Sequence, residues 1–293
     1  MEMRDKLLQL QRDIYLYETR EFVPGEKGFF SVDNSAMLYF FPVGELFAIS
    51  FYGVGHDHDY HVKMRDLGYD YNFAFGCLLD LLCEQENADK VIALTFDGPD
   101  EGANGTNGWD FSRIINSGVI FPNLEIFKVK LTDIGDHNQS IIDFGGTMNE
   151  DGMIARLLSK MPNLTTLAVP SAPDKSFFEI GRHPLRELVV QAGYSQQDFI
   201  ENLAESDNFY QLQALDFSDL HDMYDGIPEH DFVDFEAYKK LFESRVFSSY
   251  RHFHFTLRNA MLTREQLLEL QEINNIQFKY IEKAKSRYVS NLG

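Results

Sequence analysis

The sequence predicts an α/β solenoid: parallel strands along the concave side, helices along the convex side, and an N-terminal α/β cap. Three observations carry this. A phrase of the form apolar-x-x-apolar-x-apolar recurs as Val91, Leu94, Phe96; Leu124, Phe127, Val129; Leu164, Leu167, Val169; and Leu185, Leu188, Val190. It returns as Leu212, Leu215, Phe217, as Tyr250, Phe253, Phe255, and faintly as Ile273, Ile276, Phe278. The last two apolar positions are two apart and share one side of a strand, while the first marks the approach to it. Helix-start signals fall between the phrases, and the phrases begin 33, 40, 21, 27, 38 and 23 residues apart. A short strand with one apolar face cannot bury that face alone, and stacking on copies of itself solves the problem.

The elements follow in chain order. Residues 4–20 read as an amphipathic helix with Leu7, Leu10, Ile14 and Tyr17 on one stripe, suited to covering the end of a stack. Residues 28–54 read as β-structure: Gly28 to Val32, Ala36 to Phe41, and Leu46 to Phe51, with Pro42-Val43-Gly44 as a hairpin turn. A helix over 71–86 carries Phe73, Phe75, Cys77, Leu78, Leu81 and Leu82. Residues 1–88 are therefore expected to form the cap, and 89–293 the solenoid with a C-terminal capping helix. Within the latter, Asp110, Ser195, Asp234 and Thr263 stand where helix caps are needed, and Thr263 with Gln266 spells a capping box.

Three strand starts are more specific: Phe121-Pro122-Asn123-Leu124, Met161-Pro162-Asn163-Leu164 and His183-Pro184-Leu185-Arg186-Glu187-Leu188. Together with the short repeat spacings, they resemble irregular bacterial cytoplasmic leucine-rich repeat proteins over roughly residues 90–280. The resemblance implies a curved parallel sheet used as a binding surface. One departure stands out. The family's asparagine, three residues past the last strand hydrophobe, is replaced by Pro99, Thr132, Ala172, Gly193, Leu220 and Arg258. The turns must therefore be satisfied by other groups.

Composition narrows the function classes. The 293 residues are 44% hydrophobic with 26 Phe and 14 Tyr, enough to fill a large core. Lys plus Arg number 26 against 46 Asp plus Glu, a net charge of −20, which repels nucleic acid and anionic membrane surfaces and attracts basic partners. No run approaches the ~20 apolar residues that span a bilayer. Met1 to Lys6 lead into a Gln- and Arg-rich helix and not a secretory apolar core, so a cytoplasmic location is expected. Cys77 and Cys83 lie six residues apart in one helix, about 240° around it, and are expected to be reduced and mostly buried.

Three stretches could hold chemistry. His56-Asp57-His58-Asp59-Tyr60-His61 places three imidazoles together, and His56, His58 and His61 could ligate zinc or nickel in a metal-dependent hydrolase. The fifth position is Tyr60 where binuclear metallohydrolases carry Asp, and a polar loop explains the same residues. Asp97 to Asp110 is Gly- and Asp-rich without the order of a calcium or phosphate loop, and reads as a flexible surface loop that Trp109 anchors to the core. Residues 219–236 concentrate Asp219, Asp222, Asp225, Glu229, Asp231, Asp234 and Glu236 with His221 and His230, an acidic insert at the rim. No nucleophile elbow, Walker loop, His-Glu-x-x-His or dinucleotide fingerprint is present, and no cofactor is expected.

The strand residues between the buried positions define the expected concave face. Those assigned to partner binding are Thr95, Asp97, Lys128, Lys130, Thr166, Glu187, Gln191, Asp216, Ser218, His252, His254 and Thr256. This polar, mixed-sign set suits a protein ligand. The expectation is a non-enzymatic interaction module for a protein partner, with a basic one favoured by charge. The alternatives are an acidic inhibitor or immunity-type protein masking a basic enzyme, and the metal-dependent hydrolase.

Overall fold

The computed structural model describes residues 1–20, 36–55, 70, 72–100, 105–133, 136–144, 147, 149–219, 231–248 and 252–281. Helix α1 (Met3–Glu18) buries Met3, Leu7, Leu10 and Ile14, the stripe its three-and-four spacing predicts. Strands β1 (Met37–Val43) and β2 (Leu46–Tyr52) form an antiparallel hairpin closed by Gly44 and Glu45, and Gly44 takes the left-handed φ of +64° that this turn requires. The expected helix over 71–86 is two pieces, α2 (Phe73–Leu82) and α3 (Gln85–Ala88). Glu84 between them is extended, and the Asn87 side chain donates to the Leu81 carbonyl at the break.

Strands and helices then alternate. They run β3 (Val91–Asp97), β4 (Gly105–Trp109), α4 (Ser112–Asn116), β5 (Ile126–Val129), β6 (Asn138–Ile142), α5 (Met153–Ser159), β7 (Thr166–Val169) and β8 (Glu187–Gln191). After them come α6 (Phe199–Glu205), β9 (Ala214–Ser218), α7 (Phe235–Glu243), α8 (Arg245–Ser248), β10 (His254–Arg258), α9 (Arg264–Ile273) and β11 (Gln277–Ile281). A 3-10 turn over Lys175–Phe178 replaces the helix between β7 and β8.

The architecture is mixed α/β around one large, mostly parallel sheet. Nine strands lie in the order β1-β2-β3-β5-β7-β8-β9-β10-β11, and every neighbouring pair from β2 onward is parallel. Each strand is added beside its predecessor, and the β1–β2 hairpin expected to belong to a cap continues the same sheet. Residues 105–109, read in sequence as part of a flexible loop, form instead a small parallel sheet with β6. Trp109 anchors that segment: it is fully buried, and its Nε1 donates to Ser140 Oγ at 3.1 Å.

One hydrophobic core runs along the sheet. Phe75 of α2 packs against Phe51, Phe96, Trp109 and Phe111 at centroid distances of 5.6–5.8 Å, tying the hairpin to β3 and the chain beyond it. Phe96→Ala should cost roughly 3–5 kcal/mol by emptying the centre of this cluster. The Pro-Asn-Leu starts carry a second tie: Asn123 donates to the Asp89 carbonyl and Asn163 to the Pro122 carbonyl, each reaching back to the preceding unit at 2.8 Å.

The caps are partly as expected. Thr263 and Gln266 form a reciprocal capping box, and Asp234 accepts from Ala237 N at 2.8 Å. Asp110 sits one residue further out, accepting from Ser112 N. Ser195 does not cap α6, which begins at Asp198 in a left-handed conformation without a side-chain cap. Cys77 and Cys83 are free and half-buried. No helix among the described residues is long and apolar enough to cross a membrane.

Candidate protein-binding face and rim cleft

Strand alternation gives the sheet two unequal sides. Toward the helices point Leu94 and Phe96, Phe127 and Val129, Leu167 and Val169, Leu188 and Val190, Leu215 and Phe217, all buried. The first five phrases of the sequence are thus the core rows. In the last two strands the phrase is displaced by two residues. Phe255 pairs with Leu215 and Leu257 with Phe217, so the core pairs are Phe255–Leu257 and Phe278–Tyr280. Phe253 is buried as well, but ahead of the strand.

Among the described residues the other side is open, and pairing register sets out its rows. One row runs Ala48, Ala93, Ile126, Thr166, Glu187, Ala214, His254, Gln277; the next runs Ser50, Thr95, Lys128, Ala168, Val189, Asp216, Thr256, Lys279. Ala48, Ser50, Ala93, Thr95, Ala168 and Ala214 make the floor shallow, so another backbone can approach closely. At the β1 end the floor gives way to exposed Met37, Tyr39, Phe41 and Val43, with Phe41 63% exposed. This aromatic end lies outside the expected binding set, although the period-2 run Met37-x-Tyr39-x-Phe41 signals it.

Of the residues expected to bind a partner, Thr95, Lys128, Thr166, Glu187, His254 and Thr256 lie on this face, with Asp97 exposed at the end of β3. Ser218 does not present itself: it is 4% exposed between its cross-strand neighbours Gln191 and Arg258, whose longer side chains flank it. His252 is exposed but precedes β10, a consequence of the two-residue displacement, and Arg258 takes the third outward position of that strand. Lys130 follows β5 and turns to the Gly98 carbonyl at 2.8 Å, with Asp97 and Asp136 at 3.9 and 3.8 Å.

At the C-terminal ends of the strands the face deepens into a cleft of about 210 Å³ lined by Leu131, Thr132, Asp133, Val189, Val190, Gln191, Asp216, Ser218 and Arg258. Two contacts shape it. Gln191 reaches across β7 to the Thr132 backbone, accepting from its N–H at 2.7 Å and donating to its carbonyl at 2.8 Å. Arg258 grips Asp216 with two parallel bonds, Nε to Oδ1 and Nη2 to Oδ2, both 2.6 Å. The hydrogen bonds to Asp216 hold the Arg258 guanidinium above its ordinary pKa. Thr132 stands at one of the turn positions that lack asparagine, and Gln191 supplies the missing turn bonds. Asp133 is exposed and makes no ion pair among the described residues.

The other candidates resolve differently. His56, His58 and His61 lie outside the described residues, as do the loop residues 101–104 and most of the acidic insert, 220–230. Among the described residues no group of three or more His, Cys, Asp or Glu is placed to hold a metal. Two carboxylates of the insert serve the fold: Asp234 caps α7, and buried Asp219 accepts from Val233 N and from the Tyr238 hydroxyl. Comparison of the chain with family models, with curated proteins and with solved structures gave no match.

Proposed function

We propose that this chain is a non-enzymatic protein-interaction module, an irregular leucine-rich repeat solenoid that holds a protein partner on the concave, open face of its sheet. The observation that carries the reading is that face. Parallel sheets are ordinarily covered on both sides, yet here one side is sealed by the core and the other presents a floor of small residues between an aromatic end and a charged end. A preformed surface of this kind loses little ordering entropy when it binds.

The charge distribution separates this reading from the acidic-inhibitor alternative. On and beside the open face Asp97, Asp133, Asp136, Glu187 and Asp216 stand against Lys128, Lys130, Arg258 and Lys279, so its charges nearly cancel while the chain carries −20. Masking of a basic enzyme would therefore draw on other surfaces, and binding at the open face should respond only modestly to salt.

The test is photo-crosslinking in the native host, with a photoreactive residue at Ala93 or Thr166 on the face and at Glu236 on α7 as a control. A common partner captured from both face positions and not from Glu236 is expected. Capture from Glu236 alone, or from no position, overturns the assignment.

A further inference from the structure

We infer that the cleft at the C-terminal rim receives a long cationic side chain, arginine or lysine, of the protein bound on the open face. This rests on the interaction reading above. The first argument is size. A volume of about 210 Å³ falls below the ~300 Å³ at which pockets begin to enclose whole small-molecule ligands, and suits one side chain. The cleft also opens beside the shallow floor, with Ala168 and Ala214 on the strands that flank Val189. A partner backbone lying on that floor comes close enough to lower a side chain into it.

The second argument is chemistry. Leu131 and Val189 offer apolar wall for a methylene stem, and Asp133 and Asp216 offer carboxylates for its charged head. Arg258 does not cancel this pair. Its Nε and Nη2 are both committed to Asp216, one to each oxygen, and a carboxylate accepts about four hydrogen bonds. Asp216 thus keeps lone pairs for a second donor, while exposed Asp133 makes no ion pair among the described residues. Two carboxylates against one guanidinium leave the cleft negative. The neighbouring rim adds Asp97 and Asp136 beside Lys130. An acidic side chain would meet net repulsion here, and a purely apolar one would cut the remaining acceptor capacity of Asp216 off from water without supplying a donor.

The probe is N-acetyl-arginine methylamide, with its neutral isostere N-acetyl-citrulline methylamide as the control, followed by amide chemical shifts of the full chain. The arginine compound should shift residues 131–133, 189–191, 216–218 and 258, and the citrulline compound should not. Asp133→Asn should weaken the arginine compound about two- to fivefold, the loss of one exposed ion pair. Val189→Phe, which fills the cleft from a non-core position, should abolish the shifts, with buried Trp109 emission reporting that the variant is folded. Equal binding of the citrulline compound overturns the cationic assignment, and shifts that ignore Val189→Phe overturn the cleft. A partner that crosslinks to the open face yet binds Asp133→Asn and Val189→Phe undiminished sinks this inference alone. A cleft that takes the probe while no protein crosslinks to the face sinks the interaction reading alone.

Discussion

Arg258 on β10 reaches diagonally to Asp216 on β9, whose direct cross-strand neighbour is Thr256, and holds both carboxylate oxygens at 2.6 Å. The two side chains are 29% and 26% exposed, so water screens the pair only in part. Bidentate geometry places its coupling at the upper end of exposed pairs, about 1 kcal/mol. A double-mutant cycle with Arg258→Ala and Asp216→Ala, read by urea midpoints, should return that value with little loss at 1 M salt. A coupling near zero would mean that the pair is not formed in solution.

Gln191 and Thr132 form the other contact that shapes the rim. The side-chain amide replaces a peptide group, satisfying a buried N–H and carbonyl that no neighbouring strand reaches. Gln191→Leu keeps the bulk and removes both bonds, which should cost about 1–3 kcal/mol for the stranded backbone groups. The Thr132 amide should then exchange markedly faster with deuterated solvent. An unchanged exchange rate would show that the turn is held by something else.

The same residues mark where the sequence was legible and where it was not. Five phrases between Val91 and Phe217 gave the core rows because the two alternate apolar positions that close each phrase are the pair the sheet buries. At β10 the apolar positions are Phe253, just ahead of the strand, and Phe255 and Leu257 within it, three in alternation, and any adjacent two satisfy the pattern. Only pairing with Ala214 and Asp216 fixes the register, and so Arg258, not His252, completes the rim. Strands β4 and β6 were illegible for another reason. Gly105-Thr106-Asn107-Gly108 has poor strand propensity, and its partner segment is held largely by side chains: Ser140 N donates to Thr132 Oγ1, and Ile142 N to Ser171 Oγ. The missing asparagine at Thr132 was visible, but its substitute lies 59 residues away.

Asn123 and Asn163 show how neighbouring units are tied at the opposite end of the strands. Each donates its side-chain amide to a carbonyl of the preceding unit at 2.8 Å. Asn→Ala at either position should cost about 0.5–1.5 kcal/mol. Asn→Asp should cost more, since a carboxylate cannot donate and would face a carbonyl oxygen. The order Asn, Ala, Asp in thermal midpoint is the expected result; equal midpoints for Asn and Asp would remove the hydrogen bond as the reason for the motif.

His183 gives the fold an acid limit. It is 5% exposed, its backbone N–H donates to the Asn208 carbonyl, and its Nε2 lies 3.0 Å from the Met161 carbonyl, while buried Nδ1 has no hydrogen-bond partner among the described residues. The neutral ring with its proton on Nε2 fits this site. Protonating Nδ1 would place an unmet donor and a charge in the core, so burial holds the pKa below its ordinary 6.5, more than the bond to Met161 raises it. The sign follows. A depressed folded-state pKa means that the unfolded chain binds the proton first, so the stabilising contribution is present above about pH 6.5 and is lost as pH falls through the folded value. The slope from this one group approaches 1.4 kcal/mol per pH unit between the two values. His183→Gln can still donate to Met161 without titrating, so its urea midpoint should fall less steeply than wild type below pH 6.5. Parallel profiles for the two proteins would show that His183 is not the group that sets this limit.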